Sequence, residues 1–587
     1  MKRSLTIFLA ASVLAGCQPH QTASPLRSTS VVGGQSTREH LAAAMDYLEQ
    51  ADEFEEAQAT TQVAYHLNRW LEGVEIPSDF RPDPLTVRLP REVRADPAVQ
   101  NLGQPRIQLD DVKPLQQAVW LRQIAAWASQ RPADAGFEQW CQGLPVEQGG
   151  GPAGQLVVAY RLFDWTVRNI QLDQLLPYPA DVIAQPKPQP GEVSSPPLPP
   201  PQRGVPGPGY QFHPWQTLLY GRGDALQRAR VFILLCRQMG TDVVMLAFPG
   251  KTTPPRPRPW LAAVLVGSDL YLFDTGLGTP IPGPNGSGAA TLVQVLDDPS
   301  LLTALTVSEE LRYEVELADL QNLQALVDAA ADALSLRMHL IERQLMGEHR
   351  TVLTTSPTPL AERLGKCRGV ADVTLWSLPY ETTWYQQARL EQIRLDEASA
   401  ARYFAEFGVF TMRSTLVQAR TLHFRGAFDS QGEKKGAKAL YMETRLPQAQ
   451  LDSLLNSEET QQLLGMTQMK GERDVAWRSR LVSAQLLYSQ AKLHATYWLG
   501  LAQFDTDRLD AAVEWLQRRT LEGNPDGPWT SGARYNLARS YERLGQFDEA
   551  RRWYESDESS PQRQGNLLRA RELRRAAAQT GDKPPDS

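Results

Sequence analysis

Few residues in this chain could do covalent chemistry: four cysteines (Cys17, Cys141, Cys236 and Cys367) and eight histidines. A thiolate nucleophile needs a neighbouring base to take its proton, and spacing along the chain supplies no such pair. Cys236 lies in the apolar run Val231–Cys236 and reads as a packed core thiol. No histidine occurs between His213 and His339. His339 and His349 stand too far from other ligand types to argue a metal, so neither metal nor cofactor is expected. Gly250-Lys251-Thr252 would need another glycine where Met245 stands to cradle a phosphate. No Gly-x-Ser-x-Gly elbow is present.

The stretch from Pro214 to Gly278 is best suited to position such groups. It reads as a buried helix ending at Gly240, then a strand over Asp242–Phe248 apolar on both faces. Two more strands, Trp260–Val266 and Leu270–Asp274, flank the short loop Gly267-Ser268-Asp269, which suits an antiparallel hairpin. This order resembles the core of the transglutaminase-like, papain-type superfamily. Gly223, Ala229, Leu235, Arg237 and Gly240 fall on that family's spacing, and Asp274 on its aspartate. The nucleophile's position holds Ala225, and the histidine's position falls near Pro259 or Trp260. A methyl group cannot attack a carbonyl, and the aspartate has no imidazole to orient. The resemblance therefore implies a transglutaminase-like domain without catalytic residues.

Lys2 and Arg3 precede a short apolar run, Leu5–Leu14, closed by Leu14-Ala15-Gly16-Cys17. That run is too short to span a bilayer and reads as a secretory signal. Its last four residues match the lipobox of bacterial lipoproteins, which implies acylation of Cys17. Gln18 follows, and the family's sorting habit then points to the periplasmic face of the outer membrane. Acyl chains contribute about 0.8 kcal/mol per buried methylene, so a multiply acylated cysteine anchors stably.

A chain of 587 residues, 42% of them hydrophobic, can bury several cores. Sixty basic against 67 acidic residues give −7, so no global field draws it to nucleic acid. The expected class is α+β, predominantly α. The expected order is signal peptide 1–17, tether 18–37, helical region 38–185 and Pro-rich linker 186–209. The core follows at 210–290, an α+β extension at 291–395, a helical region with a polar loop at 396–480, and repeats at 481–587. Within the extension, Leu311–Leu317 alternates like a strand, and Leu320–Leu334 carries a helical stripe of Leu323, Leu326, Val327, Ala330 and Leu334. Asp52–Ala57 looks like the turn of a helical hairpin.

Near the end of the chain two segments repeat. Leu537 follows Leu499 by 38 residues, and Ala550 follows Ala512 by the same 38. Leu499, Gly500, Tyr541, Gly545 and Ala550 fall on a pattern that resembles tetratricopeptide helix pairs, whose period is usually about 34. The extra residues fit the loop Glu522–Thr530. Tyr497, Leu499, Tyr535 and Tyr541 are the expected groove residues. The final helix carries Arg569, Arg571, Arg574 and Arg575, read as a solvated face.

These features imply a membrane-anchored, non-catalytic scaffold with a protein or peptide partner. The alternative is a cysteine hydrolase or acyl transferase on cell-envelope peptides, using Cys236 or Cys367 with a distant histidine such as His213.

Overall fold

A computed structural model describes residues 37–50, 56–144, 152–175, 207–250, 256–315, 317–410 and 415–580. Cys17, the tether, residues 186–206 of the Pro-rich stretch and most of the Asp52–Ala57 turn lie outside the described residues. No described helix is long and apolar enough to cross a membrane.

The chain enters through a helical pair, α1 (Thr37–Glu49) and α2 (Glu56–Leu71), whose apolar stripes meet through Ala44, Leu48, Val63 and Leu67. Helices α3 (Val112–Ala128), α4 (Ala135–Gln142) and α5 (Pro152–Asn169) follow. The two-residue strand β1 (Gln171–Leu172) then pairs in parallel with β2 (Arg222–Gly223), after α6 (Pro214–Tyr220).

Helix α7 (Ala225–Gln238) is started by Asp224, whose carboxylate accepts from the backbone of Leu226 and Gln227, both at 2.9 Å. Gln227 returns the favour by accepting from Asp224 N at 2.8 Å, closing a capping box. Strands β3 (Val243–Phe248), β4 (Arg258–Val266), β5 (Asp269–Asp274) and β6 (Thr279–Pro280) form an antiparallel meander. Its first hairpin turns on Gly267-Ser268, with Gly267 at φ 62°, a backbone only glycine takes cheaply. The helix, strand and hairpin expected here are all present.

Two further strands extend the sheet: β7 (Leu323–Val327) beside β3, and β8 (Val370–Leu375) parallel to β7, giving the order β6-β5-β4-β3-β7-β8. The 291–395 segment thus completes the core sheet. It also corrects two expectations. Leu320–Leu334 is not a helix, because Leu323–Val327 is a nearly central strand buried on both faces. Burial on both faces erases alternation and leaves an apolar run that mimics a helical stripe. Of the stretch Leu311–Leu317 expected as a strand, residues 311–315 form none; their alternation serves instead to turn Tyr313 inward.

Both faces of the sheet are covered. Met245, Ala262, Val264 and Phe273 pack towards Phe232, Leu235 and Cys236 of α7, in the cluster that also holds α5 and the C-terminal helices. Val244, Leu246, Ala263, Leu265 and Leu272 pack on the other side with Leu292, Val295, Leu323 and Leu364.

Helix α8 (Leu336–Glu342) lies between β7 and β8, and the elements after β8 are helical, among them α9 (Leu378–Leu395), α10 (Glu397–Phe407), α11 (Thr415–Phe424) and α12 (Ala437–Thr444). The helix expected over Val482–Leu493 is one part of α13 (Asp474–Asp505), 32 residues long. Helix α14 (Leu509–Glu514) runs on into a π-helical turn, Trp515–Leu521. Then come α15 (Thr530–Arg543), α16 (Phe547–Glu555) and α17 (Arg563–Thr580). The protein is predominantly helical with small sheets, an α+β chain weighted to α.

Candidate functional site

The start of α7 and the end of β5 meet at one place. Thr275 Oγ1 donates to the carbonyl of Ala225 at 2.6 Å. A Cβ built on Gly276 would stand 3.5 Å from Ala225 Cβ and 3.2 Å from Asp274 Oδ1. Ala225 and Asp274 therefore flank the same glycine.

Every oxygen of Asp274 is occupied. Oδ1 accepts from the backbone of Gly276 at 2.8 Å and Leu277 at 3.0 Å. Oδ2 accepts from Tyr313 Oη at 2.7 Å, and that hydroxyl accepts from Trp260 Nε1 at 3.0 Å. Burial pushes the Asp274 carboxyl above its usual range, against the pull of these donors. An indole nitrogen only donates, so Trp260 cannot take a proton from anything. The cluster holds the Asp274 carboxylate in place through donors supplied by the chain itself.

The thiols lie elsewhere. Cys236 is 0% exposed on the last full turn of α7, where burial drives its thiol well above the ordinary value. Burial, with Glu138 nearby, pushes Cys141 up to about 12. Cys367 is buried as well, its Sγ 3.7 Å from the Arg363 carbonyl, and burial raises it too. All three are unbridged. His213 caps α6; burial beside Arg230 drops it to about 3, so it stays neutral. Among the described residues no thiol is hydrogen-bonded to an imidazole.

The second assembly is the seam between this core and the C-terminal helices. Asn536 Nδ2 donates to the Arg168 carbonyl at 3.0 Å and to Tyr497 Oη at 3.1 Å. Gln171, on β1, accepts from Gly532 N and donates to the Pro528 carbonyl, both at 2.8 Å. Arg228, one turn into α7, donates to the carbonyls of Val167, Ile170 and Thr275 and to Gln562 Oε1 at 2.7 Å. Burial lowers its guanidinium to about 10, and neutral oxygens rather than a carboxylate satisfy it.

An ionic chain runs through the same seam. Arg569 joins Asp134 to Glu542, Arg539 joins Glu542 to Asp164, and Arg168 joins Asp164 to Asp505. His423 Nε2 lies 3.0 Å from Asp505 Oδ2 at the end of it. Seven of these groups (Arg168, Asp164, Asp505, Arg539, Glu542, His423 and Arg569) are under a tenth exposed in their side chains. Arg569 is thus buried and paired, which corrects the reading of the last helix as one solvated face. Arg571 reaches the Ala304 carbonyl at 2.6 Å, and Arg574 pairs with Glu555.

The four expected groove residues sit within this framework. Tyr497, Leu499 and Tyr535 are buried, Tyr497 stacking on Trp529 with centroids 4.6 Å apart. Tyr541 is half-buried, its hydroxyl 3.2 Å from Gln517 Oε1. The helices approach closely where small residues allow it: a Cβ on Gly500 would lie 2.7 Å from Leu516 Cδ2. Residues 493–518 and 531–556 match the tetratricopeptide repeat. The chain therefore ends in two such repeats, a module that suggests protein partners. No curated protein and no solved structure matches the chain. The repeat is lengthened by the π-helical turn as well as by the loop that follows it.

Sequence reasoning missed Tyr313, Arg228 and the seam charges. Arg228 and Arg168 left little signal, since each shares its helix with other arginines, Arg230 and Arg237 on α7 and Arg161 on α5. Tyr313 left none, since its partner lies 39 residues away.

Proposed function

We propose that this protein is a lipid-anchored binding scaffold without catalytic chemistry. Acylated Cys17 holds it at the periplasmic face of the outer membrane, a transglutaminase-like core forms its body, and the tetratricopeptide repeats serve a protein or peptide partner. The observation that carries the reading is the Asp274–Tyr313–Trp260 hydrogen-bond chain beside Ala225. Phenol and indole take up the aspartate where a thiol and an imidazole would be required. The burial of Cys236 and Cys367 supports the same reading over displaced-thiol chemistry.

Because the inner face of the repeats is engaged by α5, β1 and Arg228, the partner meets surfaces that this contact leaves open. Val482, Leu486 and Phe547 are exposed apolar residues there, 49%, 39% and 51% accessible. The test is affinity capture after cross-linking in envelopes, using the full chain and the variants Val482→Asp, Leu486→Asp and Phe547→Asp. Thermal melting serves as the control for folding. A reproducible partner, depleted at least tenfold by one of these changes, is expected. Capture of no reproducible partner by the intact chain would contradict the scaffold.

A further inference from the structure

The helical pair at the start of the described chain carries a group that neither the core nor the repeats use. His40 on α1 and His66 on α2 meet Nδ1 to Nδ1 at 2.9 Å, with ring centroids 5.2 Å apart. Tyr47 stacks on His66 at 5.7 Å, and Tyr65 stands edge-on to both imidazoles. Both histidines are half-buried. A contact between two Nδ1 atoms makes one a donor and the other an acceptor, so the pair shares a single proton between its inner nitrogens.

We propose that His40 and His66 form a two-imidazole chelate for a divalent late transition metal of the copper(II) or nickel(II) class. Two nitrogens bound at about 2.0 Å and a right angle stand roughly 2.8 Å apart; at a tetrahedral angle they stand roughly 3.3 Å apart. The observed 2.9 Å is a hydrogen-bond length that already brings both nitrogens within reach of one ion, and the preference for copper over zinc follows from the order of divalent-metal affinities for nitrogen ligands. The two inner nitrogens face each other in the metal-free pair, so each ring turns by roughly 45° to aim its lone pair at one point beside the line joining them. Solvent fills the remaining positions, because no third His, Cys, Asp or Glu completes a cluster among the described residues.

The proton balance is simple. In the metal-free pair one imidazole carries its proton on Nδ1 and the other on Nε2. On binding, the first proton moves to its own Nε2, both Nδ1 lone pairs pass to the metal, and no proton is released. Burial, with His40 alongside, lowers the basicity of His66. Tyr47 stacks on the His66 ring and Tyr65 meets it edge-on, which fixes its plane.

The experiment is calorimetric titration of untagged full chain with copper(II), nickel(II) and zinc(II) chloride, beside His40→Ala, His66→Ala and the control His349→Ala. Circular dichroism checks that each variant is folded, and His40→Gln with His66→Gln replaces any that is not. One copper per chain is expected, bound at least tenfold tighter than zinc, with an electron paramagnetic resonance signal coupled to two nitrogens. Loss of either His40 or His66 is expected to weaken copper at least tenfold and His349→Ala to change nothing. Copper binding undiminished in folded variants, absent from the intact chain, or weaker than zinc binding would overturn the proposal.

Discussion

Asn536 of the second repeat donates its side-chain amide to the backbone carbonyl of Arg168 at 3.0 Å, joining residues 368 apart in sequence. That carbonyl belongs to the last turn of α5, just ahead of β1, whose partner β2 leads directly into Ala225. The repeats therefore brace the segment that fixes the start of α7.

Asn536→Ala removes hydrogen bonds to Arg168, Tyr497 and Gly532 at once and leaves a buried carbonyl unsatisfied. A loss of about 1–3 kcal/mol is expected, read as a lower urea midpoint with an unchanged slope.

Arg539→Ala strips both Asp164 and Glu542 of a buried partner. Breaking such a pair costs about 3–5 kcal/mol, whereas replacing all of its members by apolar residues of similar volume is often neutral. Because Asp164 and Glu542 also pair with Arg168 and Arg569, Arg539→Ala is expected at the lower end of that cost, read as a lower melting temperature.

Removing residues 482–587 takes away part of the same hydrophobic cluster that covers α7. The truncated chain is expected to lose the sharp thermal transition of the intact chain, observable by calorimetry. A cooperative transition retained at the original temperature would show that the repeats are dispensable to the core.

At its buried histidines the chain loses stability with acid, whereas Glu542 and Glu572, raised to about 7 by burial, add stability over part of the same range. His494 Nδ1 accepts from Trp529 Nε1 at 3.0 Å, and burial, with Arg222 and Arg420 nearby, drops it to about 3. His213 stands at about 3 through burial near Arg230, and burial also lowers His423 against the pull of Asp505. Unfolded, each imidazole takes its proton near pH 6.5. Below that value the unfolded chain binds more protons, so stability declines as pH falls from about 6.5 towards 3. By pH 5 the loss reaches up to about 2 kcal/mol per histidine. Burial works against the Asp505 carboxylate, but Arg168 and His423 hold it at about 2. Its stabilising share is therefore present above about pH 4 and lost between 4 and 2. Between pH 7.5 and pH 5 the melting temperature of His494→Phe should therefore fall less, or rise more, than that of the intact chain.

Elements whose pattern is local were legible in the sequence. Gly240 closes α7, Gly267-Ser268 sets the hairpin, and the offset of Leu499 and Leu537 marks the repeats. Strand β7 was not, because burial of Leu323–Val327 on both faces leaves no alternation to read. The seam was hidden for a different reason. Arg168, Asp505 and Arg539 are ordinary charged residues until the fold brings them together, and spacing along a chain carries no information about pairs hundreds of residues apart. The same holds for Tyr313 on Asp274 and for His40 on His66.

Site-resolved thiol alkylation of the folded full chain is the most direct measurement of whether this core does chemistry. With Ala225 at the start of α7, Cys141, Cys236 and Cys367 should each react at pH 8 at least about 100-fold more slowly than in denaturant. Faster alkylation of Cys236 or Cys367 in the folded chain than in denaturant, abolished by His213→Gln, would contradict the account.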